Sequence, residues 1–279
     1  MGRSKGKKKN KKKYWVSNYT PKYGLLEPGM KGFLITGDCH KEQACIEESL
    51  NLFNEFADEL YGPELGNGED AISDEVDIEE QLAKEIETVQ SNQRFLKVRT
   101  MLKGVLFIST TLLDPAHLVT AMFESVLKTQ RRKTRFIQKV KPISLTCKAY
   151  PTDIAKALDA VLYEYSQKEG NRCITYKIEC NIRHNTLMTS SHIRWYVRES
   201  MKKFPQWSQT VFGPEIILDI EVLRHMCCIG FLKKYEDYKR YNLSKAIAGN
   251  SENSQDCKDQ VDNSEQPSGS NEEQIPNSD

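Results

Sequence analysis

From Cys173 to Arg183 the sequence alternates without a break. Ile174, Tyr176, Ile178, Cys180 and Ile182 fall on one side of an extended chain, and Thr175, Lys177, Glu179, Asn181 and Arg183 on the other. Successive side chains of a strand leave opposite faces, so this period of two reads as a half-buried strand. Such a strand needs a cover for its apolar face, and the flanking segments offer one. Upstream, Thr152 to Gln167 places Ile154, Leu158, Val161, Leu162 and Tyr165 on one helical face, with Thr152 as the cap and Glu169-Gly170-Asn171 as the stop. Downstream, Asn185 to Ser190 reads as a loop. A helix capped by Ser191 follows, carrying Ile193, Val197, Ser200, Met201 and Phe204 up to Pro205. Ile216, Leu218, Ile220 and Val222 then alternate in a strand, which Leu223-Arg224 turns back into His225–Leu232.

The preceding sequence repeats this grammar. Gly29–Gly37 reads as a short buried strand, and a helix begins at His40 with Ile46, Leu50, Phe53, Ala57 and Leu60 on one face, ending at Gly62-Pro63. In Phe95–Thr110, Lys97, Arg99 and Lys103 alternate before Gly104, and Val105-Leu106-Phe107-Ile108 is a run apolar enough to be covered on both faces. Asp114-Pro115 starts a helix, with a carboxylate at the cap and proline at the first position. Its buried stripe is Leu118, Val119, Met122, Phe123, Val126 and Leu127. Phe136–Lys148 reads as one strand with Ile143, Leu145 and Cys147 inward. Pro142 has no N–H to donate, so it belongs at an edge or bulge. The order predicts an α+β fold with helices layered on mixed sheets, and a joint between two units near Thr111–Lys133.

A formal net charge of +1 conceals strong segregation. Residues 1–16 carry eight Lys/Arg and no acid, whereas 62–93 carry ten acids against Lys84 and 251–279 carry eight against Lys258. Residues 94–148 hold twelve Lys/Arg against Asp114 and Glu124. A basic body with a basic arm suits a polyanion. The arm, the acidic insert and the Ser/Asn/Glu-rich tail bury too little apolar surface to offset chain entropy, so they read as disordered. No apolar run approaches the ~18 residues of a membrane span, and no membrane partner is expected. The eight cysteines form no C-x-x-C, and Cys227-Cys228 would point to opposite faces of a strand. A reduced, intracellular protein without a bound metal or cofactor follows.

No constellation for catalysis emerges. The sequence has no phosphate-cradling G-x-x-x-x-G-K-[ST], no G-x-G-x-x-G behind a strand, no H-x-E…P-C-x-x-C and no G-x-S-x-G. The expectation is a non-enzymatic binding module, with no catalytic residue assigned. The candidate polyanion contacts are Arg131, Arg132, Lys133 and Arg135, then Lys139, Lys141 and Lys148, then Lys177, Arg183, His184 and Asn185. Lysine and arginine supply phosphate affinity, and His184 and Asn185 can reach base edges or a 2′-hydroxyl.

Several segments together resemble the THUMP-domain adaptors of tRNA cytidine acetylation. They are Lys103-Gly104-Val105-Leu106-Phe107-Ile108, Arg135-Phe136, Pro142-Ile143-Ser144 with Thr146-Cys147-Lys148-Ala149, Tyr176-Lys177, Arg183 with Asn185, Cys227-Cys228, and Lys239-Arg240-Tyr241-Asn242-Leu243. His184 departs from the residue expected there. The resemblance implies a basic arm over 1–20, a ferredoxin-like unit over 29–115 interrupted by the insert at 62–93, a THUMP domain over 116–233, a basic tyrosine-rich segment over 234–249 and a tail over 250–279. It further implies binding of tRNA and partnership with an RNA cytidine acetyltransferase that forms N4-acetylcytidine in the D-arm of serine and leucine tRNAs. The lysine-rich arm adds an expectation of the nucleus or nucleolus. An rRNA-assembly factor and a tRNA-modifying enzyme with an unrecognised site are the competing expectations.

Overall fold

The computed structural model describes residues 24–63, 93–131, 133–170 and 172–247. The expectations for the basic arm, for nearly all of the acidic insert, for Arg132 and Asn171, and for the acidic tail lie outside those residues.

The first unit runs β1 (Gly32–Gly37), α1 (Glu42–Tyr61), β2 (Phe95–Val98), β3 (Val105–Thr110), α2 (Pro115–Thr129) and β4 (Ile137–Ile143). Its strands lie in the order β2-β3-β1-β4, every pair antiparallel. This is the ferredoxin-like split βαβ arrangement. Phe33, Ile35, Ile108, Ile137 and Val140 from the sheet pack on Phe53, Phe56, Leu118, Met122 and Phe123 from the helices. Asp114 caps α2 as its sequence predicts, its carboxylate accepting from Ala116 N–H at 3.0 Å, with Pro115 in the first turn.

The second unit runs β5 (Leu145–Lys148), α3 (Pro151–Glu169), β6 (Ile174–Arg183), α4 (Ser190–Met201), β7 (Trp207–Gln209), β8 (Ile216–Leu223) and β9 (Met226–Lys233). The order is β5-β9-β8-β6-β7, with β6 parallel to both β7 and β8 and the other pairs antiparallel. The alternating strand is β6, and Ile174, Tyr176 and Ile178 enter a core closed by Ile154, Leu158 and Leu162 of α3 and Ile193 and Val197 of α4. The opposite face of the sheet meets the first unit. There Leu34, Phe107 and Ile143 pack on Leu223, Met226 and Cys228, while Cys227 faces the helices. A last short helix, α5 (Leu243–Ile247), follows β9.

Several boundaries move. The single strand expected over Phe136–Lys148 is two, because the chain passes from the first sheet to the second at Ser144, whose N–H donates to the Ile229 carbonyl at 2.8 Å. The joint expected within Thr111–Lys133 therefore falls at Ser144. α2 buries its apolar stripe in the first unit, and β4 completes that unit's sheet, so a ferredoxin-like unit ending at 115 would lack half its second helical layer and one edge strand. Thr152 does not cap α3. Pro151 occupies the first turn and Tyr150 the cap position without a side-chain bond. Thr189, not Ser191, caps α4, accepting from His192 N–H at 3.2 Å. The chain is steered there by Asn185, whose side-chain oxygen accepts the N–H groups of Leu187 and Met188 at 2.9 and 2.8 Å.

Gly230 makes the joint possible. A Cβ there would drive into the Pro142 carbonyl oxygen well inside van der Waals contact. Both sides of this clash are backbone, so neither can rotate away. Gly230→Ala is expected to lower the unfolding free energy by roughly 1–3 kcal/mol, at the upper end of that range. Denaturant unfolding of the full chain checks it, and a melt superimposable on wild type would refute so close an approach.

Candidate nucleic-acid interface

The expected basic contacts separate into three environments. Arg131, Lys133 and Arg135 belong to a segment laid along acidic α1. Lys133 Nζ pairs with Glu55 at 2.7 Å and sits over the Phe56 ring at 4.6 Å. Glu48 accepts backbone N–H groups of Arg135, Phe136 and Ile137, the last two at 2.9 and 3.0 Å. The Arg135 guanidinium lies over Phe136, and Arg131 is exposed. Much of this cluster's charge is thus offset by the helix beside it. Lys177 pairs with Glu179 at 2.7 Å. Asn185 is a builder of the α4 lead-in, as above, and its amide also donates to the Arg224 carbonyl at 2.6 Å. The expectation that it reads base edges gives way to this structural role.

Lys141 is the clearest correction. Its side chain is 8 % exposed, and its ammonium donates to Asp219 at 2.8 Å and Glu221 at 2.7 Å, both fully buried on β8. Burial alone would lower the lysine's pKa, but the two carboxylates more than reverse that and hold it above its ordinary range. Burial raises Asp219 in turn to about 6, Lys141 opposing and Glu221 adding to the shift. A side chain in this position joins β4 of the first unit to β8 of the second, and it is not available to a polyanion. From sequence, Lys141 looks like its neighbours on a basic strand. Asp219 and Glu221, acids inside an apolar alternation, were the signal of a buried partner.

Arg183, His184 and Lys139 remain, and they gather at the rim where the units meet. Arg183 and His184 line a 550 Å³ cavity together with Met101, Leu102, Lys103, Val105 and Arg224. The tight turn Met101–Gly104 between β2 and β3 forms its other wall. Gly104 takes φ +70° there, and its N–H donates to the Glu42 carboxylate at 2.8 Å. Arg224 reaches across to the Met101 carbonyl at 3.4 Å. The same turn continues into a 780 Å³ cleft lined by Lys97, Arg99, Lys103, His40 and the start of α1. Lys148 is exposed at the end of β5, beside the turn between β8 and β9, where Ala149 N–H donates to the His225 carbonyl at 2.8 Å. Lys97, Arg99, Lys103 and Arg224 were not expected as contacts. The alternation of the first three was visible in the sequence, but only the fold sets them opposite Arg183.

The outcome is a basic groove open to solvent, walled by both units and opposed in its lining by Glu42 alone among carboxylates. Chemically it offers several cations to a chain of phosphates. The buried thiols Cys227 and Cys228 stand outside it, and burial, with Cys147 next to Cys227, pushes both well above the ordinary thiol range. Residues 148–232, from the last residue of β5 to the penultimate residue of β9, match the THUMP domain model. The chain contains a THUMP domain. Its α+β body is a ferredoxin-like unit joined to that THUMP domain. The chain is 28 % identical to "THUMP domain-containing protein 1" of Bos taurus over 87 % of its own length and 71 % of the bovine protein. It is 29 % identical to the Drosophila melanogaster homolog of that protein over 88 % of this chain and 81 % of the other. A protein named "tRNA acetyltransferase TAN1" from Saccharomyces cerevisiae is 24 % identical over 72 % of this chain and 76 % of its own.

Proposed function

We propose that this chain is a non-catalytic adaptor that binds tRNA and presents a D-arm cytidine of serine and leucine tRNAs to an RNA cytidine acetyltransferase. The observation that carries the reading is the groove in which Lys97, Arg99 and Lys103 of the first unit face Arg183 and Arg224 of the THUMP domain. Cations on two separate units fit a folded RNA that spans both, because phosphate contacts fix register on a shape and do not read a short sequence. The yeast relative's printed name supplies the tRNA and the acetyl transfer. The groove's lining supplies phosphate binders and no nucleophile–base pair. The nuclear compartment belongs to the same proposal and rests on the lysine-rich residues 1–13.

The test is reconstitution with highly purified full-length protein. It is expected to bind tRNA alone, to leave that tRNA unacetylated with acetyl-CoA present, and to raise N4-acetylcytidine yield when the acetyltransferase is added. Turnover by the chain alone would overturn the adaptor role in favour of an enzyme, the reading suggested by the yeast name. Cross-linking to rRNA with no tRNA recovered would favour a ribosome-assembly factor.

A further inference from the structure

β4 is an outer strand of the first sheet, and the segment after β9 occupies its free edge. Val140 N–H donates to the Tyr241 carbonyl at 3.1 Å, and Lys139 pairs with Asn242 in an isolated antiparallel bridge. The segment is anchored by Tyr238 and Tyr241, both buried, which lie against Phe123 with ring centroids 5.0 and 5.3 Å away. The Tyr241 hydroxyl donates to the Lys233 carbonyl at 2.9 Å. To reach this anchorage the backbone takes φ of +50°, +58° and +60° at Lys239, Arg240 and Tyr241. Three consecutive side-chain-bearing residues in the left-handed region are held there against the clash of Cβ with the following carbonyl. Strain of this kind persists where surrounding structure enforces it, and it is concentrated at functional sites.

The turn brings charge to a place already rich in it. Lys141 and Arg183 converge on Glu221, at 2.7 and 3.9 Å. Lys139 lies two residues from Lys141 on the same face of β4, and Arg240 lies across the strand's edge. The carboxylates nearby are Asp219 and Glu221, both bonded to Lys141, Glu179 held by Lys177, and Glu236, exposed and 3.8 Å from Arg240. Lys139 is left without a carboxylate partner in this group. Its ammonium is held below the ordinary lysine range by burial and then by Lys141, with Arg240 and Arg183 adding to the shift.

We propose that Lys139, Arg183 and Arg240 form a binding site for one RNA phosphodiester, with the left-handed turn at Lys239–Tyr241 as the device that delivers the arginine. The site rests on the RNA-binding reading above and extends it beyond the THUMP domain to the segment after β9. Two guanidinium groups and an ammonium converge on an anion of the size and hydrogen-bonding capacity of a phosphate. Arg183 also lines the groove, so a backbone running through the groove continues into this site. The partner is therefore a polymer, and free phosphate would fill only one end of it.

Arg240→Gly separates binding from folding. Glycine adopts a φ of +58° without strain, so the full-length variant is expected to melt no lower than wild type, while its affinity for a tRNA transcript falls about tenfold, the loss of one charged hydrogen-bonding group. Lys139→Gln should weaken binding similarly. The double variant should fall well short of the product of the two losses, because groups sharing one phosphate are coupled. Unchanged affinity in Arg240→Gly, or losses that multiply in full, would overturn the site. A lower melting temperature for Arg240→Gly would overturn the strained-turn argument, and Arg240→Gln would then report the charge by itself. If wild type fails to bind tRNA, the adaptor reading falls. If wild type binds and the variants bind equally well, only this site does.

Discussion

Replacing Lys141 by alanine is expected to destabilise the protein by roughly 3–5 kcal/mol, the cost of leaving buried carboxylates without their counter-charge. The ammonium is the direct partner of both Asp219 and Glu221, and each carboxylate has one oxygen, Oδ2 and Oε2 respectively, that is buried without a hydrogen-bond partner. Removing the lysine strands two charges between the sheets. A loss of that size is a large share of the roughly 5–15 kcal/mol that keeps a typical protein folded. Denaturant unfolding measures it, and a loss under about 1 kcal/mol would show that water reaches the triad. Adding Asp219→Asn and Glu221→Gln to Lys141→Met should recover most of the loss, since no buried charge then remains.

The same triad sets a pH dependence with a definite sign. One ammonium facing two carboxylates leaves a buried net charge of −1, which a single proton cancels. Asp219 is raised in the fold from 3.8 to about 6, so the folded protein holds this proton more tightly than the unfolded chain. The associated stability is fully present below the unfolded value near 3.8 and is lost as pH rises through about 6. Acidification from pH 7 to 5 is therefore expected to strengthen wild type relative to Asp219→Asn, whose amide cannot titrate. Paired unfolding curves at those pH values read the difference, and a change of the opposite sign would refute the shift.

The second large effect concerns RNA. Replacing Arg99, Lys103, Arg183 and Arg224 together by glutamine is expected to flatten the salt dependence of log K by roughly 2.8 to 3.6, at 0.7 to 0.9 for each phosphate released. Affinity should fall in parallel for different tRNAs, because these contacts position the RNA and do not read its bases. The contrasting set is Arg131, Lys133, Arg135 and Lys177. Its charge is partly offset by Glu55 and Glu179 and by the acidic flank of α1. Glutamine at those four positions should flatten the slope by less than about one. Equal slopes for the two sets would remove the groove as the binding surface.

Local pattern alone carried much of the architecture. The alternation of β6, the apolar stripes of α2 and α3, the Asp114-Pro115 start and the turn back at Leu223-Arg224 depend on interactions between near neighbours, and those are written in consecutive residues. The alternation also placed Cys227 and Cys228 on opposite faces. What followed from contacts between distant residues was not legible. The break at Ser144 exists because β4 pairs with β1 while β5 pairs with β9, and one apolar run cannot show which of two sheets will take each half. The three-residue β7 and the five-residue α5 have too few positions to show a period. Charge was the least legible of all. A lysine's sequence neighbours do not reveal whether it meets water, a glutamate or another cation, and these environments differ by several kcal/mol. Thus Lys141 and Lys139, two residues apart on one face of β4, have opposite fates, the first buried against Asp219 and Glu221, the second crowded by cations. The sequence by itself determined that a basic α+β body would form. Only the tertiary structure decided which of its charges neutralise one another and which, brought from separate units to one rim, are left for an anion.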